Sequence, residues 1–198
     1  PKEKIVTGCA LRFESLQNLS LLKRRKVSNH NFVLLVAFGG SQEEVPLLNY
    51  ALEQAFFNKD IIFHMRTHPV FSWKQLMSLS SWRKKLPDNV ENSIYDDVLE
   101  DLKNCDAVLY WGTTVALESL MVGKPVIQFD RGDLLNYDPL FEFTDFKWQV
   151  QAKDSLQIVI KEIQALPDTL YCEHQQQGKK YMKEYFYPVT KENLKNYL

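Results

Sequence analysis

Three short stretches carry the side chains with the most chemistry: Phe38–Ser41 "FGGS", His64–Pro69 "HMRTHP" and Trp111–Thr114 "WGTT". In "WGTT", Gly112 has no side chain, so a ligand oxygen can approach the backbone. Thr113 and Thr114 open a helix whose first amides lack intrahelical partners. Amides, hydroxyls and helix dipole together suit a phosphate without any net charge. The same pattern also serves as a threonine cap on a tight turn. Glu118 lies one turn later on the face of Thr114, where a carboxylate can accept both hydroxyls of a ribose or simply face water. Gly39 and Gly40 either let backbone amides reach a diphosphate or only turn the chain. His64, Arg66 and His68 alternate and so share one strand face. Arg66 suits a phosphate or a carboxylate of a neighbouring loop. His68 suits a phosphate or sugar hydroxyl, or a tie to nearby backbone. His64 reads as structural. No Asp, Glu or Cys joins these histidines at ligand spacing, so neither a metal nor another cofactor is expected.

Several chemistries are excluded. Neither GxGxxG nor GxxxxGK[ST] is present, so a dinucleotide oxidoreductase and a P-loop NTPase find no support. There is no GxSxG and no serine triad order. Cys172 and His174 share an amphipathic stretch and read as a surface pair. Asp96, Asp97, Glu100 and Asp101 read as an acidic helix start.

The elements that must position these stretches follow from the apolar pattern. "KIVTG" suggests a strand over Ile5–Gly8, and Leu16–Arg25 a short helix. Phe32–Gly40 is apolar throughout and closed by two glycines, as in a parallel strand covered on both faces. Ser41 is placed to cap the next helix, with Glu43 and Glu44 in its first turn and Val45, Leu48, Leu52, Ala55 and Phe56 at helical spacing. Asp60–Pro69 reads as a strand and Val70–Lys85 as helix with loops. "NVENS" reads as a short strand and Ile94–Asn104 as a helix. Asp106–Tyr110 is a strand, Thr114–Val122 a helix stopped by Gly123, and Val126–Phe129 a strand. "FKWQV" is the last strand. Asp154–Leu166, Glu173–Tyr185 and Thr190–Tyr197 read as helices. Strands alternating with helices predict an α/β, three-layer Rossmann-like domain with a mostly parallel sheet. Ligands of such sheets lie beyond the carboxyl ends of the strands, where all three polar stretches fall.

The 198 residues suit a single domain, and a formal net charge of −1 gives no field for nucleic acid. The basic run Lys23–Lys26 is short and reads as a solvated helix end. Cys9, Cys105 and Cys172 are odd in number and far apart, favouring a reducing compartment. No apolar run is long enough to span a membrane, and no signal peptide is visible. A start at Pro1 suggests a piece of a longer protein.

Three segments resemble the carboxyl-terminal, nucleotide-sugar-binding half of a GT-B fold glycosyltransferase of the bacterial surface-carbohydrate and capsule type. They are "VAFGGS", "MRTHP" and "CDAVLYWGTTVALESLMVGKPVI". The resemblance spans roughly Ile5 to Val150, and "YFYPVTKENLKNYL" is similar to the last helices of such proteins. It implies that residues 1–198 form one nucleotide-sugar-binding domain. Residues 1–30 would hold linker and first strand, and residues 180–198 would pack on a missing amino-terminal, acceptor-binding half. It implies a donor linked to UDP, GDP or CMP. Gly40 and Ser41 would face its diphosphate or sugar. Arg66 and His68 would approach phosphate as catalytic groups. Gly112, Thr113 and Thr114 would bind phosphate, Glu118 ribose, and the base would pack near Ser93–Tyr95, by backbone contacts and the Tyr95 ring. It implies a cytoplasmic location, with peripheral association at the inner membrane face. No basic residue for the diphosphate stands out beyond Arg66, and the EX7E pattern of retaining members is not evident. An epimerase of the same fold and a non-catalytic binding domain are the alternatives. The aromatic tail Tyr181–Tyr187 is expected to pack against something, here a second copy of the chain.

Overall fold

The computed structural model describes residues 9–25 and 31–197, so the strand expected at Ile5–Gly8 lies outside the described residues. Six parallel strands form one sheet in the order β3-β2-β1-β4-β5-β6: β1 Phe32–Ala37, β2 Ile61–Arg66, β3 Val90–Asn92, β4 Ala107–Tyr110, β5 Val126–Phe129 and β6 Lys147–Val150. The order reverses between β1 and β4, the switch point at which doubly wound sheets leave a crevice.

β1 explains the three layers. Every residue of "FVLLVA" is buried. Phe32, Leu34 and Val36 point into one core and Val33, Leu35 and Ala37 into the other. The first core is closed by α2 (Val45–Phe57), α3 (Trp73–Leu79) and α6 (Leu156–Ala165). The second is closed by α1 (Glu14–Gln17), α4 (Val98–Asn104), α5 (Val115–Met121) and α7 (Asp168–Tyr185). A last turn, α8, covers Lys191–Leu194. The register sets Ala37 beside both Arg66 and Tyr110, so the loops leaving β1, β2 and β4 start at one level.

Some boundaries differ from the sequence expectation, each for a local reason. The helix expected over Leu16–Arg25 is a 3-10 turn at Leu11–Phe13 followed by α1, and residues 19–25 are irregular. There, Leu22 donates its amide to Val122 O at 2.8 Å. Arg24 donates to the carbonyls of Ile163, Gln164 and Leu166 at the end of α6, at 3.0, 2.9 and 2.6 Å. A helical 19–25 would withdraw both contacts. The helix expected from Ile94 starts at Val98, because Arg66 takes the carbonyls of Tyr95 and Asp96 and the Asp97 side chain caps Leu99 N at 2.9 Å. α7 starts at Asp168 rather than near Glu173, directly after Pro167. The glycine stop after α5 matches: Gly123 has φ +80.

Part of the aromatic tail packs within the chain. The Phe186 ring lies 4.4 Å from that of Phe13, and Tyr181 lies 5.0 Å from Phe143. Tyr185 and Tyr187 stay exposed.

Candidate functional site

The loops after β1, β2 and β4 meet at the switch point. A Cβ built on Gly39 would lie 3.5 Å from the Thr113 Cβ, and one on Gly40 only 2.8 Å from the His68 ring. Gly40, with φ +94, therefore has two reasons to be glycine, its backbone and its neighbour. Both reasons come from the chain itself.

The amides of the glycine turn are already bonded. Glu44, only 1% exposed, accepts Gly39 N at 2.5 Å, Gly40 N at 2.9 Å and Ser41 N at 3.2 Å. Ser41 accepts Glu43 N at 3.1 Å, completing a reciprocal cap. Burial pushes the Glu44 carboxyl above its ordinary range, against the pull of three amides and nearby His68. These amides thus face a carboxylate of their own chain. The spacing Ser-x-x-Glu over Ser41–Glu44 was the sequence signal for this arrangement.

Arg66 is likewise engaged. It donates to the Asp101 carboxylate, to Tyr95 O at 2.9 Å and to Asp96 O at 2.8 Å. Asp101 is fully buried and also receives the Ser93 hydroxyl at 2.7 Å. Of the two roles open to Arg66, the geometry displays the brace of the β3–α4 loop, which carries Tyr95. His68 is exposed, and its Nδ1 accepts Val70 N at 3.3 Å. With Nδ1 accepting, Nε2 is left as the ring donor, and it has no partner among the described residues.

The "WGTT" turn divides in two. Towards β5 it is closed: a Cβ on Gly112 would lie 3.1 Å from Tyr137 Cβ and 3.2 Å from Tyr137 O. The space left by the missing side chain is thus filled by the loop after β5. At the start of α5 it is unoccupied by the chain's own acceptors among the described residues. The amides of Thr113 and Thr114 donate to nothing among the described residues, and Thr114 is exposed, with no side-chain capping bond. Thr113 is buried, and its hydroxyl accepts Val115 N at 3.4 Å.

Glu118 is not the exposed helix residue that its spacing also allowed. It is 4% exposed, and its carboxylate meets Arg12 at 3.5 Å. Burial raises its pKa, with Arg12 and then Arg66 opposing. Arg12 had no place in the sequence expectation, because only the folded chain brings it to α5.

A cavity of about 280 Å³ lies beyond β4 and β5, against the far side of Trp111 and Tyr137. Arg131 stacks on Trp111 at 4.6 Å and pairs with Glu43 at 3.2 Å and Asp133 at 3.1 Å. Beneath the cavity, buried Asp138 receives the Tyr110 hydroxyl at 2.6 Å, Leu140 N at 2.9 Å and Lys147 Nζ at 2.5 Å. Among the described residues, no group of three His, Cys, Asp or Glu side chains is placed to hold a metal ion.

No family model and no curated protein matches the chain. Solved structures do. A glycosyltransferase from Rickettsia africae matches over 100% of this chain and 56% of its own, with TM-score 0.61 and 14% identity. CalG4, the calicheamicin glycosyltransferase, matches over 83% of this chain and 42% of its own, with TM-score 0.56 and 19% identity. The C-terminal domain of a glycosyl transferase group 1 family protein (LpcC) from Francisella tularensis matches over 88% of this chain and 98% of its own, with TM-score 0.55 and 13% identity. This chain thus spans less than half of CalG4 and nearly the whole of one isolated C-terminal domain. The six-stranded parallel sheet between helices is the fold of the C-terminal domains of GT-B glycosyltransferases.

Proposed function

We propose that this chain is the donor-nucleotide half of a glycosyltransferase that moves a sugar from a nucleotide-sugar to a surface-glycan acceptor. The observation that carries this reading is Glu118. A carboxylate is buried at the switch point, one helical turn behind two threonine amides that have no partner among the described residues. Ribose hydroxyls on Glu118 would set phosphate beside Thr113 and Thr114. His68 Nε2–H would donate to the departing diphosphate as its charge grows. Gly40 and Ser41 would shape the rim, and Arg66 would hold Tyr95 and its loop for the base. The cavity beside Trp111 would take the sugar, clear of the closed face of Gly112. No metal is assigned a role. The base that activates the acceptor belongs to a companion amino-terminal half, so this chain alone binds donor without turnover. Exposed Tyr185 and Tyr187 offer that half, or a second copy, a face. A cytoplasmic location belongs to the same reading.

The test is a calorimetric titration with UDP, GDP, CMP and ADP. Binding of one nucleotide, weakened by Glu118→Ala and by Thr114→Val, supports the reading. Failure of this chain and of a longer, two-domain chain to bind any of them overturns it in favour of a non-catalytic scaffold.

A further inference from the structure

The rim opposite the candidate site carries an aromatic and basic cluster. α2 starts beside the carboxyl end of β1 and runs back, so its last turn, with Phe56 and Phe57, lies at the amino ends of the strands. Phe57 is 69% exposed and Phe56 40%. Their rings pack edge to face at 5.3 Å, and Phe56 meets Trp82 at 6.0 Å. Two cations lie over these rings. Lys84 Nζ is 4.5 Å from the Phe56 centroid and 5.5 Å from that of Trp82, and Lys59 Nζ is 5.1 Å from Phe56.

Lys59 donates to Ala55 O at 3.4 Å and adds to the pull of Lys85 that lowers the Asp88 carboxyl. Lys59 and Lys84 form no ion pair among the described residues, and Arg83 donates only to the carbonyls of Ser80 and Trp82. Lys85 is neutralised by Asp88 at 2.9 Å. Glu53 is the one carboxylate lining the hollow of about 350 Å³ between α2 and Ser81–Lys84. The Trp82 indole nitrogen is buried, with no hydrogen-bond partner among the described residues. Lys59, Arg83 and Lys84 thus share one patch with two protruding rings, on a chain whose net charge is −1. A ring with an apolar body and a cation above it is matched to the boundary between acyl chains and headgroups. A phosphodiester oxygen there can meet the exposed Lys84 ammonium. No helix among the described residues is long and apolar enough to cross a bilayer, so such contact is at the surface.

We propose that the Phe56–Phe57–Trp82 patch docks this chain on an anionic lipid surface. Docking there leaves the nucleotide rim turned towards water. The patch stands apart from the donor site, so the two ideas fail separately.

The experiment is co-sedimentation of the chain with phosphatidylcholine vesicles, with and without phosphatidylglycerol, at low and high salt. The Phe57→Ser, Lys84→Glu double variant changes two exposed residues. Lys191→Glu on exposed α8 controls for charge alone, and circular dichroism checks folding of each. The expected result is salt-sensitive pelleting that requires phosphatidylglycerol. The patch variant should lose it on the order of tenfold or more, and the control variant should keep it. Absence of pelleting at low salt overturns the proposal, as does equal pelleting of the folded patch variant and the native chain.

Discussion

The Glu44 carboxylate accepts the amide of Gly40 at 2.9 Å, inside a turn whose three amides all point at it. The turn resembles an anion nest, and the anion is supplied by the chain. Glu44→Ala should leave three donors unsatisfied and cost about 1–3 kcal/mol. Sulfate added to the variant should refill the nest, raising its urea midpoint more than that of the native chain. Equal shifts would show that the nest collapses once empty.

Gly40 is pinned between a left-handed backbone and the His68 ring. Gly40→Ala should cost about 1–3 kcal/mol in urea unfolding. It should also move the His68 ring resonances, because a methyl group would overlap the ring. A silent substitution would mean that the β1 and β2 loops do not touch in solution.

Arg66 and Asp101 form a buried pair that ties β2 to α4. Arg66→Ala should cost about 3–5 kcal/mol, because a buried carboxylate loses its partner. Adding Asp101→Asn should restore much of that loss. An arginine held in reserve for phosphate would instead show no effect on stability.

Glu118 and Glu44 both titrate above the ordinary 4.5 because burial disfavours their charged forms. Between 4.5 and its raised value such a group holds more protons folded than unfolded. Its stabilising contribution is complete below 4.5 and is lost as pH rises through the folded pKa. Glu118→Gln should flatten this fall, leaving the protein at neutral pH no less stable than the native chain. Urea unfolding across that window reads the slope directly. A slope unchanged by the substitution would assign the effect to Glu44 alone.

Much of the architecture was legible because parallel strands buried on both faces leave a simple mark. "FVLLVA" has no polar residue to face solvent, and each later strand closes with turn chemistry. The site was legible as a location rather than as a set of roles. Arg66 lies where expected, yet it serves Asp101, because the choice between ligand and loop depends on α4, distant in sequence. Gly112 was legible as a bare backbone, but what fills the space is Tyr137, delivered by the long loop after β5. Arg12 left no local trace at all. The Leu16–Arg25 helix failed for a related reason: Arg24 is committed to the end of α6, and no pattern within residues 16–25 reveals that.

The strand order also governs how the chain assembles. β1 lies between β2, which follows it closely, and β4, which pairs Leu34 with Ala107 across a long stretch of chain that holds α2, β2, α3, β3 and α4. The β1–α2–β2 unit can form from local contacts, whereas closing β4 onto it must first overcome a large chain entropy. Refolding is therefore expected to be slow for a domain of this size. The crevice at the switch point would be the last part to become competent, since its two walls come from strands that meet late.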